Sequence, residues 1–251
     1  PVFRHGCYDG NSGTGCDIVE RRLLSVDWDY FVKEDDINYG SYAESRKNLV
    51  DTWYKRYIKE KAQGRDIEKL YHLLPENRMF WEKIEQYFAF TGDVEVYVSD
   101  SHALSYEIAK KTGCDTVYLF DSHTDLGYGG PQSLDFELNC SNWLGMLLRD
   151  RVAKAAYIFL SMHTHERPEM FDWANRAFNI KYCDLAEFVQ KITVSAVHIC
   201  RSGAWTPPWF DSEFEEFVAA LGIAYKTIDC PKRDWEPENL NFSQEILYLL
   251  A

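Results

Sequence analysis

The chain has 251 residues and a formal charge of −13, from 27 basic and 40 acidic side chains. That length fits one α/β domain with a sizeable core, and that charge argues against nucleic acid or an anionic membrane as a partner. Seven cysteines, an odd number with no C-x-x-C pair, argue against a disulfide framework or a structural zinc cluster and predict a reducing, cytoplasmic setting.

Residues 1–20 contain Asp9-Gly10-Asn11-Ser12-Gly13-Thr14-Gly15, a turn or loop by its glycine density. They lack the apolar core of a signal peptide, and no apolar run approaches the ~18 residues that span a bilayer. A soluble protein is expected. Leu23 to Phe31 is an apolar run that ends in Asp27-x-Asp29 and predicts a strand with two carboxylates at its end. Beyond it the pattern becomes helical: Leu49, Val50, Trp53, Tyr54, Tyr57 and Ile58 share one helix face, and Ile67–Leu74 and Pro75–Phe90 repeat the behaviour. This predicts a helical insertion at about 41–90, with His72 packed or capping among leucines. Residues 33–90 balance their charges, so the whole acidic excess falls on the rest of the chain.

From Val94 the sequence alternates. Strands are predicted at 94–99, 116–121, 155–161, near 178–183, 194–200 and 223–228, with helices at 103–112, 141–150 and 210–221. Such alternation predicts one three-layer α/β/α domain over residues 1–251, with a mainly parallel sheet. Ligands of such sheets bind beyond the carboxyl ends of the strands.

Those ends carry the chemistry. Asp121-Ser-His123-Thr-Asp125 follows the apolar run Thr116–Phe120, so that three metal-capable side chains at i, i+2 and i+4 can converge where the strand runs into its loop. Two carboxylates and an imidazole suit Mn²⁺, and less often Zn²⁺ or Fe²⁺. Val94–Ser99 ends in Asp100-x-His102, and the first strand in Asp27-x-Asp29. Four aspartates and two histidines thus leave three strand ends, enough for two metal ions sharing carboxylates.

Asp-Ser-His-Thr-Asp resembles the Asp-Ala-His-x-Asp motif of arginases and agmatinases. Ser-Asp-Ser-His-Ala-Leu (99–104) resembles their Gly-Gly-Asp-His-Ser strand end, and Asp-Trp-Asp-Tyr-Phe (27–31) their Asp-x-Asp end, although that pair comes last in arginases and first here. The whole is similar to a small arginase-like branch that includes the peptide arginases, which convert arginine to ornithine inside precursor peptides. The resemblance implies an arginase-like fold and hydrolysis of a guanidino group with two Mn²⁺ ions. Asp121 and Asp27 would bridge the ions, His102 and Asp125 would complete one, and His123 and Asp29 the other. Asp125 would also hydrogen-bond the nucleophile.

The sequence departs from that pattern at one point. The helix after the Asp-x-His-x-Asp loop opens with Leu138-Asn-Cys-Ser-Asn142-Trp143, where arginases carry polar substrate contacts and a histidine proton shuttle. Asn142 either contacts substrate or caps the helix, Trp143 is a candidate substrate contact, and no histidine is present. His163-Thr-His165-Glu166 follows the next strand, so His163 and Glu166 are the candidates for proton delivery and guanidinium binding. Arg201, after the strand at 194–200, either holds a substrate carboxylate or turns a corner. Gly127, Gly129 and Gly130 leave room for a peptide backbone, with Trp205 and Trp209 near it. An arginine-containing peptide is therefore the expected substrate. A free-arginine or agmatine hydrolase, a zinc deacetylase-type amidohydrolase and a non-catalytic arginine-binding protein remain as rival readings.

Overall fold

The computed structural model of the chain describes residues 20–35 and 49–250; the glycine-rich stretch at 9–15 and the first part of the expected insertion lie outside them. The elements run β1 (Arg22–Asp27), β2 (Val32–Glu34), α1 (Leu49–Ala62), β3 (Tyr71–Leu73), α2 (Phe80–Tyr87), β4 (Phe88–Ser99), α3 (Leu104–Thr112) and β5 (Thr116–Asp121). They continue with α4 (Trp143–Arg149), β6 (Ala155–Leu160), α5 (Asp172–Ala177), β7 (Ile180–Tyr182), β8 (Ile192–Cys200), α6 (Asp211–Ala220), β9 (Tyr225–Ile228) and α7 (Phe242–Leu250). Seven strands form one parallel sheet in the order β7-β6-β5-β1-β8-β4-β9.

The strands read as near-continuous apolar runs because both faces are covered. Successive side chains point to opposite faces, and the two cores follow that alternation. Leu24, Val26, Val96, Val98 and Phe120 pack against Phe80, Trp81 and Ile84 of α2 and Phe214 and Phe217 of α6. Leu23, Tyr97, Val117 and Leu119 pack on the other face against Ile108 of α3, Trp143, Leu144 and Leu147 of α4, and Ala174 of α5. The expected three-layer arrangement is what forms. Among the described residues, no helix is long and apolar enough to cross a membrane.

The expected insertion at 41–90 is only partly helical. Helix α1 forms and stacks Tyr54 between Trp235 and Tyr248 of α7. Residues 67–70, however, make a single 3₁₀ turn, and Tyr71–Leu73 pairs antiparallel with Val32–Glu34. Tertiary context overrides the helical spacing here: Tyr71 is buried against Trp53 and Trp209, while His72 faces out and pairs with Asp35 at 2.7 Å. Residues 88–90, read as the end of a helix, start β4 and pair with Ile192–Val194.

Helix α4 presses its backbone against the loop that carries Asp125. A Cβ on Gly145 would overlap the Leu126 carbonyl and lie 2.7 Å from Leu134 Cδ2. Gly145→Ala is therefore expected to destabilise the fold by ~1–3 kcal/mol through overpacking, seen as a lowered midpoint in thermal or denaturant unfolding. An unchanged midpoint would show that the loop can give way.

Candidate metal centre

Asp27 closes β1, the middle strand of the sheet, and its Oδ1 accepts the Asp29 amide at 3.0 Å, capping a 3₁₀ turn at 28–31. That turn swings Asp29 away from the strand axis toward β5. Asp121 closes β5, and its Oδ1 accepts the His123 amide at 2.8 Å. Asp125 has left-handed backbone (φ 51°), which aspartate tolerates better than most residues, and its carbonyl accepts the Leu144 and Gly145 amides at 3.1 and 3.2 Å. The start of α4 thereby fixes the loop. The three residues of the Asp-x-His-x-Asp motif do not share a strand face, because the strand stops at the first of them; the loop turns His123 to one side and Asp125 to the other.

Two groups of ligand atoms result, and Asp121 belongs to both. His102 Nδ1 lies 3.0 Å from Asp27 Oδ2, 3.0 Å from Asp121 Oδ2 and 2.9 Å from Asp125 Oδ2. His123 Nδ1 lies 2.9 Å from Asp29 Oδ2 and 3.5 Å from Asp121 Oδ1. All six residues expected as ligands therefore meet at one place, and the two oxygens of Asp121 face different histidines. Asp27 sits with His102 through Oδ2, while its Oδ1 accepts the Asp29 amide as Asp121 Oδ1 accepts that of His123.

The electrostatics are those of a cation site. Burial pushes the Asp27 carboxyl up to about 6, with Asp29 adding to the shift. Burial and the neighbouring Asp29, Asp125 and Asp27 carry Asp121 well above the usual carboxylate range. Burial opposes a charge on His102, yet Asp27, Asp121 and Asp125 outweigh it and hold the imidazole well above its ordinary value; Asp29 and Asp121 do the same for His123. Four carboxylates crowded out of water need positive charge among them. His102 Nδ1, Asp121 Oδ2 and Asp29 Oδ2 are buried and make no hydrogen bond. A buried nitrogen and buried carboxylate oxygens without hydrogen-bond partners, aimed at common points, fit a metal ion better than they fit one another.

Around these ligands the structure places supports that sequence reasoning assigned elsewhere or missed. Trp143, expected to touch substrate, is fully buried; its Nε1 donates to Asp125 Oδ2 at 2.5 Å and its ring lies 4.9 Å from that of His102. Asn142 is buried too, its amide engaged by Ser133 O, Glu137 O and the Asn139 N–H, so it organises the loop instead of contacting substrate. Ser202, missed in the sequence, donates to Asp27 Oδ2. Arg201 is a corner: its guanidinium is buried and bonded to Asp100, Asp211 and the Pro231 carbonyl. Only the ligand types at strand ends were readable; these supports are single residues with no pattern of their own.

A cleft of about 1470 Å³ opens above the ligands and is lined by Asp29, His123, Tyr128, His163, His165 and Glu166, among others. Glu166 is buried, accepting the Thr124 amide at 2.8 Å and the Tyr128 hydroxyl; burial nevertheless raises its carboxyl above the usual range. His163 and His165 are exposed on the wall. The cleft also carries Glu34, Glu107, Glu137 and Asp229 against Lys33 and Arg56, so its walls are acidic.

Replacing Trp143 with phenylalanine keeps the ring and removes the N–H that orients Asp125. Trp143→Phe is expected to weaken divalent-cation binding ~10–100-fold, read by titrating the chelated protein with Mn²⁺; undiminished affinity would leave the indole a packing residue only. Compared with protein-family models, with curated proteins and with solved structures, the chain has no match.

Proposed function

We propose that this chain is a binuclear manganese hydrolase that converts arginine side chains, within a peptide, to ornithine and urea. The observation that carries the reading is Asp121, whose two oxygens face His102 Nδ1 at 3.0 Å and His123 Nδ1 at 3.5 Å, the disposition of a carboxylate shared by two ions. Asp27, His102 and Asp125 would hold one ion with Asp121, and Asp29 and His123 the other. When bound, the ions supply a hydroxide nucleophile at neutral pH by lowering the pKa of water.

The chain's own residues do the rest. The acidic walls draw in a cation and disfavour an anion. Glu166 faces the cleft as the carboxylate for the guanidinium, pre-oriented by Thr124 and Tyr128. Asp125, held by Trp143, is placed to accept a hydrogen bond from the nucleophile. Water's oxygen bonds to the guanidinium carbon, the bond from that carbon to the side-chain nitrogen breaks, and that nitrogen leaves with the proton His163 delivers. One guanidinium and one water give one ammonium and one urea. A cleft of about 1470 Å³ exceeds the ~300–1,000 Å³ usual for small ligands, which favours a peptide over free arginine.

Incubation of the Mn²⁺-loaded protein with free arginine and with arginine-containing peptides, followed by mass spectrometry, tests this directly. Peptides are expected to lose CH₂N₂ per converted arginine with urea appearing in step. Faster turnover of free arginine than of every peptide would make this a small-molecule ureohydrolase; retention of peptides without turnover would make it a binding protein.

A further inference from the structure

Beneath the ligands, on the sheet face covered by α3, lies a row of polar side chains inside an otherwise apolar core. Ser25 of β1, His198 of β8 and Ser105 of α3 are fully buried, and Ser99 of β4 joins them at the same depth. His102 Nε2 lies 2.8 Å from Ser25 Oγ, and Ser25 Oγ lies 2.9 Å from Ser105 Oγ. Ser105 Oγ lies 2.5 Å from His198 Nδ1, His198 Nε2 lies 2.7 Å from Ser99 Oγ, and Ser99 Oγ lies 3.0 Å from the Ser101 carbonyl.

We propose that Ser99, His198, Ser105 and Ser25 are positioning residues: a one-way hydrogen-bond chain that keeps the Nε2 proton on His102 and so reserves its Nδ1 for a metal ion. The direction is set at the far end. A carbonyl only accepts, so the single Ser99 proton goes to Ser101 O, and Ser99 must accept from His198 Nε2–H. His198 is fully buried with both ring nitrogens on serine hydroxyls, where an imidazolium would be costly and the neutral ring is held, so its Nδ1 is an acceptor and takes the Ser105 proton. Ser105 then accepts from Ser25, and Ser25 accepts from His102 Nε2–H. Each hydroxyl has one proton, so no link can reverse while the Ser101 carbonyl holds the end. His102 is left with Nδ1 facing Asp27, Asp121 and Asp125. An apolar foursome would fill the same space; a fully satisfied polar row additionally fixes an orientation.

The inference rests on the metal-centre reading, and two measurements separate the two. Ring-nitrogen NMR of the ¹⁵N-histidine-labelled, chelated protein should show His198 as the neutral Nε2–H tautomer. Ser99→Ala deletes one oxygen and the anchor with it. The chain is then free to run backwards, from His198 Nδ1–H through Ser105 and Ser25 into His102 Nε2, which leaves the ring proton of His102 on the ligand nitrogen. Titration with diamagnetic Zn²⁺, followed at His102 and His123 separately, should show ~10–100-fold weaker binding at His102 in Ser99→Ala, with binding at His123 unchanged. A merely structural role would weaken both or neither. Wild-type His198 as the Nδ1–H tautomer, or unaltered Zn²⁺ binding at His102 in Ser99→Ala, overturns the proposal. Failure of the wild-type protein to take up any divalent ion would sink the hydrolase reading, while the His198 tautomer would still decide the direction of the chain.

Discussion

Asp121→Asn is expected to abolish turnover and to lose most of the bound Mn²⁺ while the protein stays folded. The carboxylate sits last on β5 between two histidines, and no other described side chain reaches both. An amide of the same shape keeps one oxygen and offers a poorly ligating nitrogen in place of the other, so both ions are weakened at once. The metal-free variant should be no less stable than metal-free wild type. Asp121 has its carboxyl raised well above the usual range by burial and three neighbouring aspartates; a raised folded-state value means the ionised group costs stability at neutral pH. Elemental analysis beside circular dichroism and chelated melts reads all of this. Full metal occupancy in Asp121→Asn would end the shared-carboxylate assignment.

His163→Ala is expected to lower kcat ~10²–10⁴-fold with metal content unchanged. The residue follows β6 at the carboxyl edge of the sheet and lines the cleft. Its loop is not free to drift, because Thr164 Oγ1 donates to the Ser122 carbonyl at 2.5 Å and so ties it to the ligand loop. Activity surviving in His163→Ala but not in His165→Ala would transfer the role two residues along the same wall.

The ligands were legible because each ends an apolar run. A strand that finishes in Asp-x-Asp, Asp-x-His or Asp-x-His-x-Asp places chemistry at a sheet edge whatever the rest of the fold does. The residues that orient them were not legible for the opposite reason. Ser25 within Leu-Leu-Ser-Val-Asp and His198 within Ala-Val-His-Ile-Cys look like isolated polar interruptions of strands, and their partnership needs β1, β8 and β4 side by side. In the sequence Trp143 is an aromatic beside a loop of candidate ligands; only the approach of α4 shows its N–H turned inward. The Tyr71–Leu73 strand failed for want of a visible partner, since Leu70, Leu73 and Leu74 satisfy helical spacing and the pairing with Val32–Glu34 decides otherwise.

The strand order has one more implication, for how the molecule is made. Strand β8 lies between β1 and β4 and pairs with both, so the left and right portions of the sheet are stitched together by residues near 200. During synthesis β1 emerges first and then waits through most of the chain with one edge bare, a long delay for a strand so apolar. A ribosome that stops before Ile192 therefore releases no trimmed protein lacking only a peripheral strand. It releases a four-stranded sheet fragment with the inner edge of β1 exposed, and β4 without either of its neighbours, both prone to stick to copies of themselves, and with Ser202 and His198 missing from around the metal-binding candidates that were made first.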